Sequence, residues 1–397
     1  MKQELQPREG RYYFRGDRQI WIIVFLLMLI SVVEVYSTTF SLAYRRAGGD
    51  TFGVISWHVA FLALGVGMMF LFQMIPIGRI AKFAMPMLVV SFFVLLFTLL
   101  FAPERNTANR WVELFGKSVQ PSEFVKIPLI LYLAYILAKK QKELKNFSFV
   151  VVNLFVVVAV ICGVIVTQDF STALLLAFVS FVVMWLGRVP RRYLISVSFL
   201  SVFVLSVLLW AAPKFSESLP ARVITWRNRI ERFVSNNENN AQDARDKTWQ
   251  SQCAKTAIAN GLLWGKGPGN GIEMLTLPES YADFIFAALV EEGGLIGAIV
   301  VMVLYLWLML RIYFIMQASQ RPYNLYLCAG FGLLISIQAF IHICISVGLM
   351  PVTGQTLPLV SKGGSSIVAT CIALGIIQNV VRQQKKELYE GEKQDAV

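Results

Sequence analysis

Ten long apolar runs, separated by short polar segments, dominate the pattern of this 397-residue chain. The hydrocarbon core of a bilayer is about 30 Å thick, and a helix needs about 20 mostly apolar residues to cross it. The pattern therefore predicts an all-α polytopic membrane protein with about ten transmembrane helices. The predicted spans are 20–43, 54–75, 81–102, 122–138, 147–167, 170–187, 193–212, 283–310, 325–349 and 364–381.

A polar segment from 213 to 282 separates predicted helices 1–7 (20–212) from helices 8–10 (283–381). Its stretch SNNENNAQDARD (235–246) is poor in apolar residues and is predicted to be mobile. The following stretch, TWQSQCAKTAIANGLLWG, has apolar residues at helical spacing and is predicted to be ordered. The two ends of the chain are polar tails, 1–19 and 382–397.

The distribution of positive charge indicates the orientation, because cytoplasmic segments of membrane proteins are enriched in Lys and Arg. With the N-terminus inside, the inner segments hold twenty Lys and Arg residues and the short outer loops hold six. The 213–282 segment adds nine on the outer side, but long loops translocate largely regardless of charge. Both tails are therefore predicted to be cytoplasmic and the long loop extracytoplasmic.

Composition supports the membrane assignment. Only 15% of the residues are charged, whereas soluble proteins average about 25%. The formal net charge of +12 could suggest nucleic-acid binding, but the basic residues lie at the ends of apolar runs, so no nucleic-acid partner is expected. The five cysteines are scattered and mostly lie within apolar runs, which predicts small core residues rather than a disulfide framework or a CxxC metal site.

Ionisable residues within the apolar runs are candidates for function, because burying them in a bilayer is costly. Glu123 and Lys126 are three residues apart on one helix face, so they could either neutralise each other or act on a ligand. Glu34 and His58 are more simply explained as groups satisfied within the bundle or near the membrane surface. The pattern leaves His342 undecided.

Four segments rich in glycine, proline and charge are predicted at the outer membrane face. They are TANRWVELFGKSVQPSEFVK before span four, TQDFST between spans five and six, KGPGNGIEMLTLPESYADFIF before span eight, and GLMPVTGQTLPLVSKGGSS before span ten. Their cations and exposed backbone amides could hold a phosphate-bearing ligand. The equally weighted alternative is that these glycine-rich connections bind nothing.

These segments together resemble the SEDS family (shape, elongation, division and sporulation), and the resemblance covers nearly the whole chain. It rests on RW, QPSE and K at 110–126, D-x-x-T at 169–172, G-x-G-x-G at 265–269, LPE, DFIF and EE at 277–292, and P-x-T-G with S-x-GGSS at 351–366. The sequence is closer to the division-type FtsW branch than to the elongation-type RodA branch. It departs from the usual family pattern at Gln168, Tyr281, Ala282, His342, Cys253, Ala254 and Lys362.

The resemblance implies a peptidoglycan glycosyltransferase that polymerises lipid II, an undecaprenyl-pyrophosphate-linked disaccharide pentapeptide, into glycan strands during cell division. It implies a multi-pass protein of the bacterial cytoplasmic (inner) membrane with an extracytoplasmic active site. The implied partners are a class B penicillin-binding protein and other divisome membrane proteins. A lipid-linked precursor flippase and a non-catalytic division scaffold are the alternatives. No cofactor is certain, although a divalent cation, Mg²⁺ or Mn²⁺, could assist at the pyrophosphate.

Asp283 is the catalytic residue that the resemblance implies, as the general base of an inverting sugar transfer. Taken alone, Asp283 would be interpreted as a helix cap. Glu291, eight residues further along an ideal helix, is expected to pair with Lys126 or to set the local field. No metal ligands are identified. The implied substrate-binding residues are Arg110, Trp111, Gln120, Ser122, Glu123, Lys126, Asp169, Lys266, Glu279, Glu291, Thr353, Ser361, Lys362, Gly363, Gly364, Ser365 and Ser366.

Overall fold

The computed structural model describes residues 16–46, 51–101, 111–114, 117–211, 242–273 and 283–395. Eleven helices and one small sheet make up this part of the chain. In chain order the elements are α1 (Arg18–Arg46), α2 (Thr51–Met74), α3 (Ile77–Phe101), β1 (Val112–Leu114), β2 (Lys117–Val119), α4 (Pro121–Lys139), α5 (Phe147–Gln168), α6 (Phe170–Leu186), α7 (Arg191–Ala211), α8 (Gln242–Gly261), α9 (Ile285–Gln317), α10 (Pro322–Ser346) and α11 (Gly364–Asp395).

Each of the ten predicted spans coincides with one of these helices, which confirms a polytopic, mainly helical fold. Eight helices of the described chain are long and apolar enough to cross a bilayer, whereas α6 has only 17 residues. The number of crossings therefore stays a prediction, as do the tails and the loop boundaries. α8 lies where helical spacing predicts order in the 213–282 segment. Most of the stretch 235–246 lies outside the described residues.

Sequence signals explain where several helices begin. Pro121 and Pro322 occupy the first turns of α4 and α10, where the missing N–H would have had no helical partner. Asp169 caps α6, because its carboxylate accepts the backbone N–H groups of Ser171 (3.0 Å) and Thr172 (3.1 Å). All three helix starts are thus fixed by local chemistry, and those of α4 and α6 border the predicted outer segments.

α4 and α11 form the centre of the bundle. Most of their apolar side chains are buried, whereas α2, α3 and α5 each keep a largely exposed apolar face, with Phe83, Phe93 and Phe97 as examples on α3. α11 packs against α2 and α4, and α10 packs against α4, α6 and α9. The outward apolar faces suit contact with lipid, and the α4, α10 and α11 group holds the connecting segments in place.

A short antiparallel hairpin before α4 departs from the predicted all-α class. Its strands pair Val112 with Val119 and Leu114 with Lys117. Strands of three residues are at the short end of the observed range, and they are too short for alternation to reveal them in the sequence. The hairpin leads directly into α4, so its position is tied to that helix.

α9 is interrupted at Gly294, where φ is 64° and ψ is −167°. This backbone region is essentially open only to glycine. A Cβ at Gly294 would lie 2.4 Å from the backbone N of Gly265 and from the carbonyl oxygen of Leu263. The prediction of one continuous helix from 283 to 310 is therefore wrong at this residue, because a passing segment of chain occupies the space that a side chain would need.

The segment that crosses the break belongs to the glycine-rich loop, which we define as residues 262–273. It supplies hydrogen-bond partners to the backbone groups that the break frees, on both sides of Gly294. Such pairing is required wherever a helix is broken in a membrane. Before the break, the Lys266 N–H donates to the Glu291 carbonyl (3.0 Å) and the Gly267 N–H donates to the Glu292 carbonyl (2.8 Å). After the break, the Leu295 N–H donates to the Leu262 carbonyl (2.9 Å) and the Ile296 N–H donates to the Leu263 carbonyl (3.4 Å).

Candidate active site

Asp283 lies immediately before α9, at the end of the bundle opposite the start of α1. Near the other end of α9, the Arg311 guanidinium pairs with Asp17, which directly precedes α1 (2.6 Å). A rise of 1.5 Å per residue gives about 39 Å from Ile285 to Arg311, which exceeds the hydrocarbon thickness of a bilayer. Because the charge distribution predicts a cytoplasmic Asp17, Asp283 is expected on the outer side.

The α10–α11 loop, residues 347–363, faces Asp283. The Asp283 side chain is partly buried, and a Cβ added to Gly354 would lie 3.6 Å from its Oδ2 atom. Gly354 has a φ of 76°, which favours glycine. This glycine therefore makes the turn of the loop and also leaves room beside the carboxylate.

A chain of hydrogen bonds connects α6 to the α10–α11 loop. Besides capping α6, Asp169 accepts the Thr172 hydroxyl (2.9 Å), and Thr172 accepts the side-chain amide of Gln355 (2.8 Å). The backbone carbonyl oxygen of Gln355 lies 2.7 Å from Nδ1 of the buried His342. Asp169 and His342 thus hold the loop residue that follows Gly354, and both act on the site through the loop.

A second chain connects α4 to the start of α11. Lys126 is buried and pairs with Glu123 at 2.8 Å, so the two side chains neutralise each other, as one of the two sequence hypotheses states. Lys126 Nζ lies 3.5 Å from Oε1 of Gln338, whose amide donates to the Thr356 carbonyl (3.0 Å). The Thr356 and Ser366 hydroxyls are 2.8 Å apart. Predicted residues from two distant segments therefore belong to one network.

Glu291 is fully buried and pairs with Lys266 of the glycine-rich loop at 2.8 Å. It also accepts the backbone N–H groups of Ile272 (2.8 Å) and Glu273 (3.2 Å). The expected pairing with Lys126 is therefore wrong, because the loop that crosses the break in α9 brings another cation to Glu291. The charge of Lys266 is correspondingly compensated within the protein.

α8 supports the residues next to Asp283. Its Cys253 and Ala257 pack against Phe284 and Ala288 at the start of α9. Burial, with a smaller contribution from the Glu273 carboxylate, raises the pKa of the Cys253 thiol, so this thiol stays protonated at neutral pH. All five cysteines are free and buried, which confirms the expectation of small core residues.

Other predicted residues have partners close to them in the chain. Gln120 donates to Ser122 (3.0 Å) at the start of α4, and Ser361 accepts the Leu357 N–H (2.8 Å) inside the α10–α11 loop. Trp111 is partly buried just before β1. The remaining implied binding residues on the hairpin segment and the long loop, Arg110 and Glu279, lie outside the described residues.

Two residues from the sequence analysis, Lys362 and His58, lie near each other at the end of the α10–α11 loop. Lys362 is close enough to His58 of α2 for its charge to act on the imidazole. His58 Nε2 also lies 2.9 Å from the Ser31 hydroxyl of α1, which confirms that His58 is satisfied within the bundle. Whether Lys362 also contacts a substrate stays a prediction.

An apolar cavity of about 480 Å³ lies between α6 and α10. Phe170, Ile341 and Thr353 are among the residues that line it. The Thr353 hydroxyl is buried and has no hydrogen-bond partner in the structure. Because Thr353 and Gln355 both line the cavity, it reaches the residues on either side of Gly354, the loop position that faces Asp283.

Comparison with known proteins identifies the family and the fold. The family model FtsW/RodA/SpoVE, described as cell cycle protein, matches residues 17–386. The chain belongs to this family. The probable peptidoglycan glycosyltransferase FtsW of Geobacter sulfurreducens is 31% identical over 377 residues, covering 94% of this chain and 96% of that protein. The protein of the same name from Bacillus subtilis is 31% identical over 371 residues, covering 92% and 90%.

Solved structures show the family's fold. A chain of a peptidoglycan synthase complex, studied for the structural coordination of polymerization and crosslinking, superposes with a TM-score of 0.74 at 24% identity, covering 94% of this chain and 99% of that one. The rod shape determining protein RodA of Thermus thermophilus gives 0.66 at 22% identity, covering 94% and 98%. At these identities the likeness concerns the fold alone.

In this FtsW/RodA/SpoVE family member, four helices begin around the α10–α11 loop. They are α4, α6, α9 and α11, the last starting at Gly364 with Ser365 and Ser366 in its first turn. A helix N-terminus carries unpaired N–H groups and the positive end of the helix dipole. The Asp169 carboxylate already accepts two N–H groups of α6, so the starts of α4, α9 and α11 are the ones that make this region favourable for an anion such as a phosphate.

The sequence pattern did not predict two glutamines that connect these networks. Gln338 is an uncharged polar residue in the middle of an apolar span, which is a signal for bonding between helices. Gln355 follows the P-x-T-G motif directly, and its amide joins the loop to α6. Both glutamines hold the α10–α11 loop in position beside Asp283.

Proposed function

We propose that this protein is a peptidoglycan glycosyltransferase that polymerises lipid II into glycan strands for cell division, at the outer face of the bacterial cytoplasmic membrane. The observation that carries the proposal is the position of Asp283, at one end of α9 and facing Gly354. The nearby helix N-termini suit a pyrophosphate, and the apolar cavity suits a prenyl chain. Relatives named FtsW support the division branch.

The proposed reaction is an inverting glycosyl transfer. The 4-hydroxyl of the acceptor sugar attacks the anomeric carbon of the donor, and the bond from that carbon to the pyrophosphate oxygen breaks. Asp283 takes the hydroxyl proton as the new bond forms, a contribution typically worth about 10²- to 10⁴-fold in rate. The lipid pyrophosphate leaves with the bonding electrons, and the helix N-termini stabilise its charge.

The binding residues divide into two groups in this proposal. Thr353, Lys362, Gly363, Gly364 and Ser365 lie on or beside the α10–α11 loop and are proposed to touch the substrate, whereas the Ser366 hydroxyl is engaged with Thr356 and is proposed to position the loop. Side chains already engaged with other protein groups are proposed to position that loop and α9 instead. These positioning residues are Gln120, Ser122, Glu123, Lys126, Asp169, Lys266, Glu291 and Ser361. Trp111, Arg110 and Glu279 keep their proposed roles in binding.

A divalent cation, Mg²⁺ or Mn²⁺, remains a proposed assistant at the pyrophosphate. Among the residues that the structure describes, no group of three or more His, Cys, Asp or Glu side chains is arranged to hold a metal ion. The described residues therefore form no metal cage, and phosphate oxygens of the substrate are proposed to supply ligands to such a cation. No step of the proposed proton transfer to Asp283 involves a cation.

The proposed partner is a class B penicillin-binding protein that crosslinks the new strands, together with other divisome membrane proteins. The fold shared with a chain of a synthase complex that coordinates polymerization and crosslinking supports this partner. In the proposed topology both termini are cytoplasmic and the site is extracytoplasmic, which suits a substrate delivered in the outer leaflet.

The test is polymerisation of lipid II by the purified protein and its cognate penicillin-binding protein in proteoliposomes. Asp283→Asn keeps the size of the side chain and removes the base, so strand synthesis is expected to fall by about 10²- to 10⁴-fold. The matched control is Glu113→Gln, which neutralises an exposed carboxylate on the hairpin before α4. This control is expected to polymerise at the wild-type rate.

Equal strand yields from wild type and Asp283→Asn would falsify the role of Asp283. Both variants must also unfold at the wild-type temperature, so that lost activity is not lost structure. Movement of fluorescent lipid II across the bilayer without strand formation would support the flippase instead. Intact binding to the partner with neither activity would support the scaffold.

A further inference from the structure

Two buried carboxyl groups of the described chain lie close together between α1 and α9. Glu34 on α1 and Glu292 on α9 are 6% and 3% exposed, the Ser37 hydroxyl one turn after Glu34 bonds to Glu292, and the two charges are close enough to interact. In each, the Oε2 atom is inaccessible and has no hydrogen-bond partner in the structure. The expectation that Glu34 is satisfied in the bundle is therefore wrong for one of its oxygens.

The glycine-rich loop meets both helices at this point. The hydroxyl of Ser37, one turn after Glu34, donates to Oε1 of Glu292. The same hydroxyl oxygen accepts the Gly269 N–H at 2.9 Å. Glu292 therefore connects the loop to α9 through Ser37. The hydrogen bonds of this junction leave the Oε2 atoms of Glu34 and Glu292 without a partner in the structure.

The surrounding charges do not neutralise the pair. Lys266 of the glycine-rich loop is paired with Glu291, which adds its own repulsion to Glu292. On α2, His58 is bonded to Ser31, one turn before Glu34 on α1, and Lys362 acts on that imidazole. Two ionised carboxylates would leave two negative charges without a paired cation among the described residues, and such burial is costly.

We propose that Glu34 and Glu292 hold one proton between them at neutral pH, and that this shared proton fastens α1 and the glycine-rich loop to the outer half of α9. Carboxyl pairs at close range share a proton in this way because like charges cannot both ionise. A proton suits the pair better than a metal ion. Hard cations take six or more oxygen ligands, and among the described residues no group of three or more His, Cys, Asp or Glu side chains is arranged to hold a metal ion.

Glu34 and Glu292 act as positioning residues, because they hold α1 and the glycine-rich loop against α9. This role does not depend on the proposed glycosyl transfer. Loss of the proton puts two like charges side by side in a buried space. The repulsion is relieved when α1 or the glycine-rich loop separates from α9. Because this loop also bonds to the carbonyls of Glu291 and Glu292, the separation disturbs the half of α9 that begins at Asp283.

The first test is labelling with dicyclohexylcarbodiimide, which enters bilayers and reacts with protonated buried carboxyls. The full-length protein in proteoliposomes is treated between about pH 6 and about pH 10, and modification is mapped by peptide mass spectrometry. Labelling of the pair is expected to fall about tenfold per pH unit once the shared proton dissociates. Glu34→Gln leaves a single carboxylate with no proton to share, so labelling of Glu292 is expected to fall at least about tenfold at pH 7.

The second test is thermal unfolding as a function of pH. A bound proton stabilises the folded state at low pH, and its contribution is lost as the pH rises. Wild type is therefore expected to lose melting temperature as the pH rises from the ordinary Glu pKa of the unfolded chain, about 4.3, through the range in which the pair releases its proton, while Glu34→Gln loses less. Glu143→Gln is the control, because it changes a half-exposed carboxylate whose pair with Lys140 is screened by water.

Three results would overturn the shared proton. One is the absence of labelling at every pH, and another is the same pH profile of unfolding in wild type and Glu34→Gln. The third is protection from labelling, with a raised melting temperature, by Na⁺, Mg²⁺ or Mn²⁺, which would identify a metal site. These measurements need no polymerisation, so a failure of the proposed function would leave them valid.

Discussion

Gly294→Ala is expected to destabilise the protein by at least about 3 kcal/mol and to lower its yield in the membrane sharply. Alanine cannot adopt the backbone angles at Gly294 without strain, and its Cβ would lie 2.4 Å from backbone atoms of Gly265 and Leu263. The glycine-rich loop would have to move away, which removes the hydrogen bonds across the break in α9. Thermal unfolding in detergent and the amount of folded protein recovered measure the effect.

The neighbouring residue provides the control for this prediction. A Cβ at Gly293 would meet no atom within 4 Å, and its backbone is helical. Gly293→Ala is therefore expected to be neutral or to stabilise the protein by up to about 1 kcal/mol. If both variants unfolded at the same temperature, the break in α9 would have no structural importance.

Lys126→Met is expected to destabilise the protein by about 3–5 kcal/mol, because it leaves Glu123 buried without its cation. It also removes the contact to Gln338, so the α10–α11 loop loses part of its support. The double variant Glu123→Gln with Lys126→Met leaves no charge behind and is expected to recover most of the stability. Melting temperatures of the two single variants and the double variant give the coupling.

An exposed pair with the same spacing is available for comparison. Lys140 and Glu143 are also three residues apart and 2.6 Å from each other, but their side chains are 43% and 44% exposed. Lys140→Met is expected to change stability by less than about 1 kcal/mol, since water screens the pair. Similar losses in Lys126→Met and Lys140→Met would contradict the importance given to burial.

The long apolar helices were predictable because the bilayer sets a length requirement that most of the apolar runs meet on their own. The outer segments were predictable as a group, since alternating spans return the chain to the same face. In the structure, hydrogen bonds from Gln355 to α6 and from Gln338 to Thr356 join the α10–α11 loop to neighbouring helices. These features depend on local composition and on order along the chain, which a sequence contains.

The misses depend on contacts between segments far apart in the chain. A straight helix was assumed beyond Asp283, so the break at Gly294 and the pairing of Glu291 with Lys266 were not predicted. A pair of glycines in an apolar run does not reveal which of them has a positive φ. The environment of Glu34 likewise depends on Glu292, which lies on a helix that α1 meets only in three dimensions.

The glycine-rich loop braces α9, because it forms hydrogen bonds with residues on both sides of the break at Gly294. Asp283 lies eleven residues from Gly294, which corresponds to a length of about 16 Å at the helical rise. Rotating this part of the chain by about 5° about Gly294 would displace the carboxylate by about 1.4 Å, and a misplacement of this order can slow an enzyme about a hundredfold. The alignment of the proposed base is consequently set by the length and pairing of residues 262–267, and a force applied to α8, which leads directly into this loop, would adjust it.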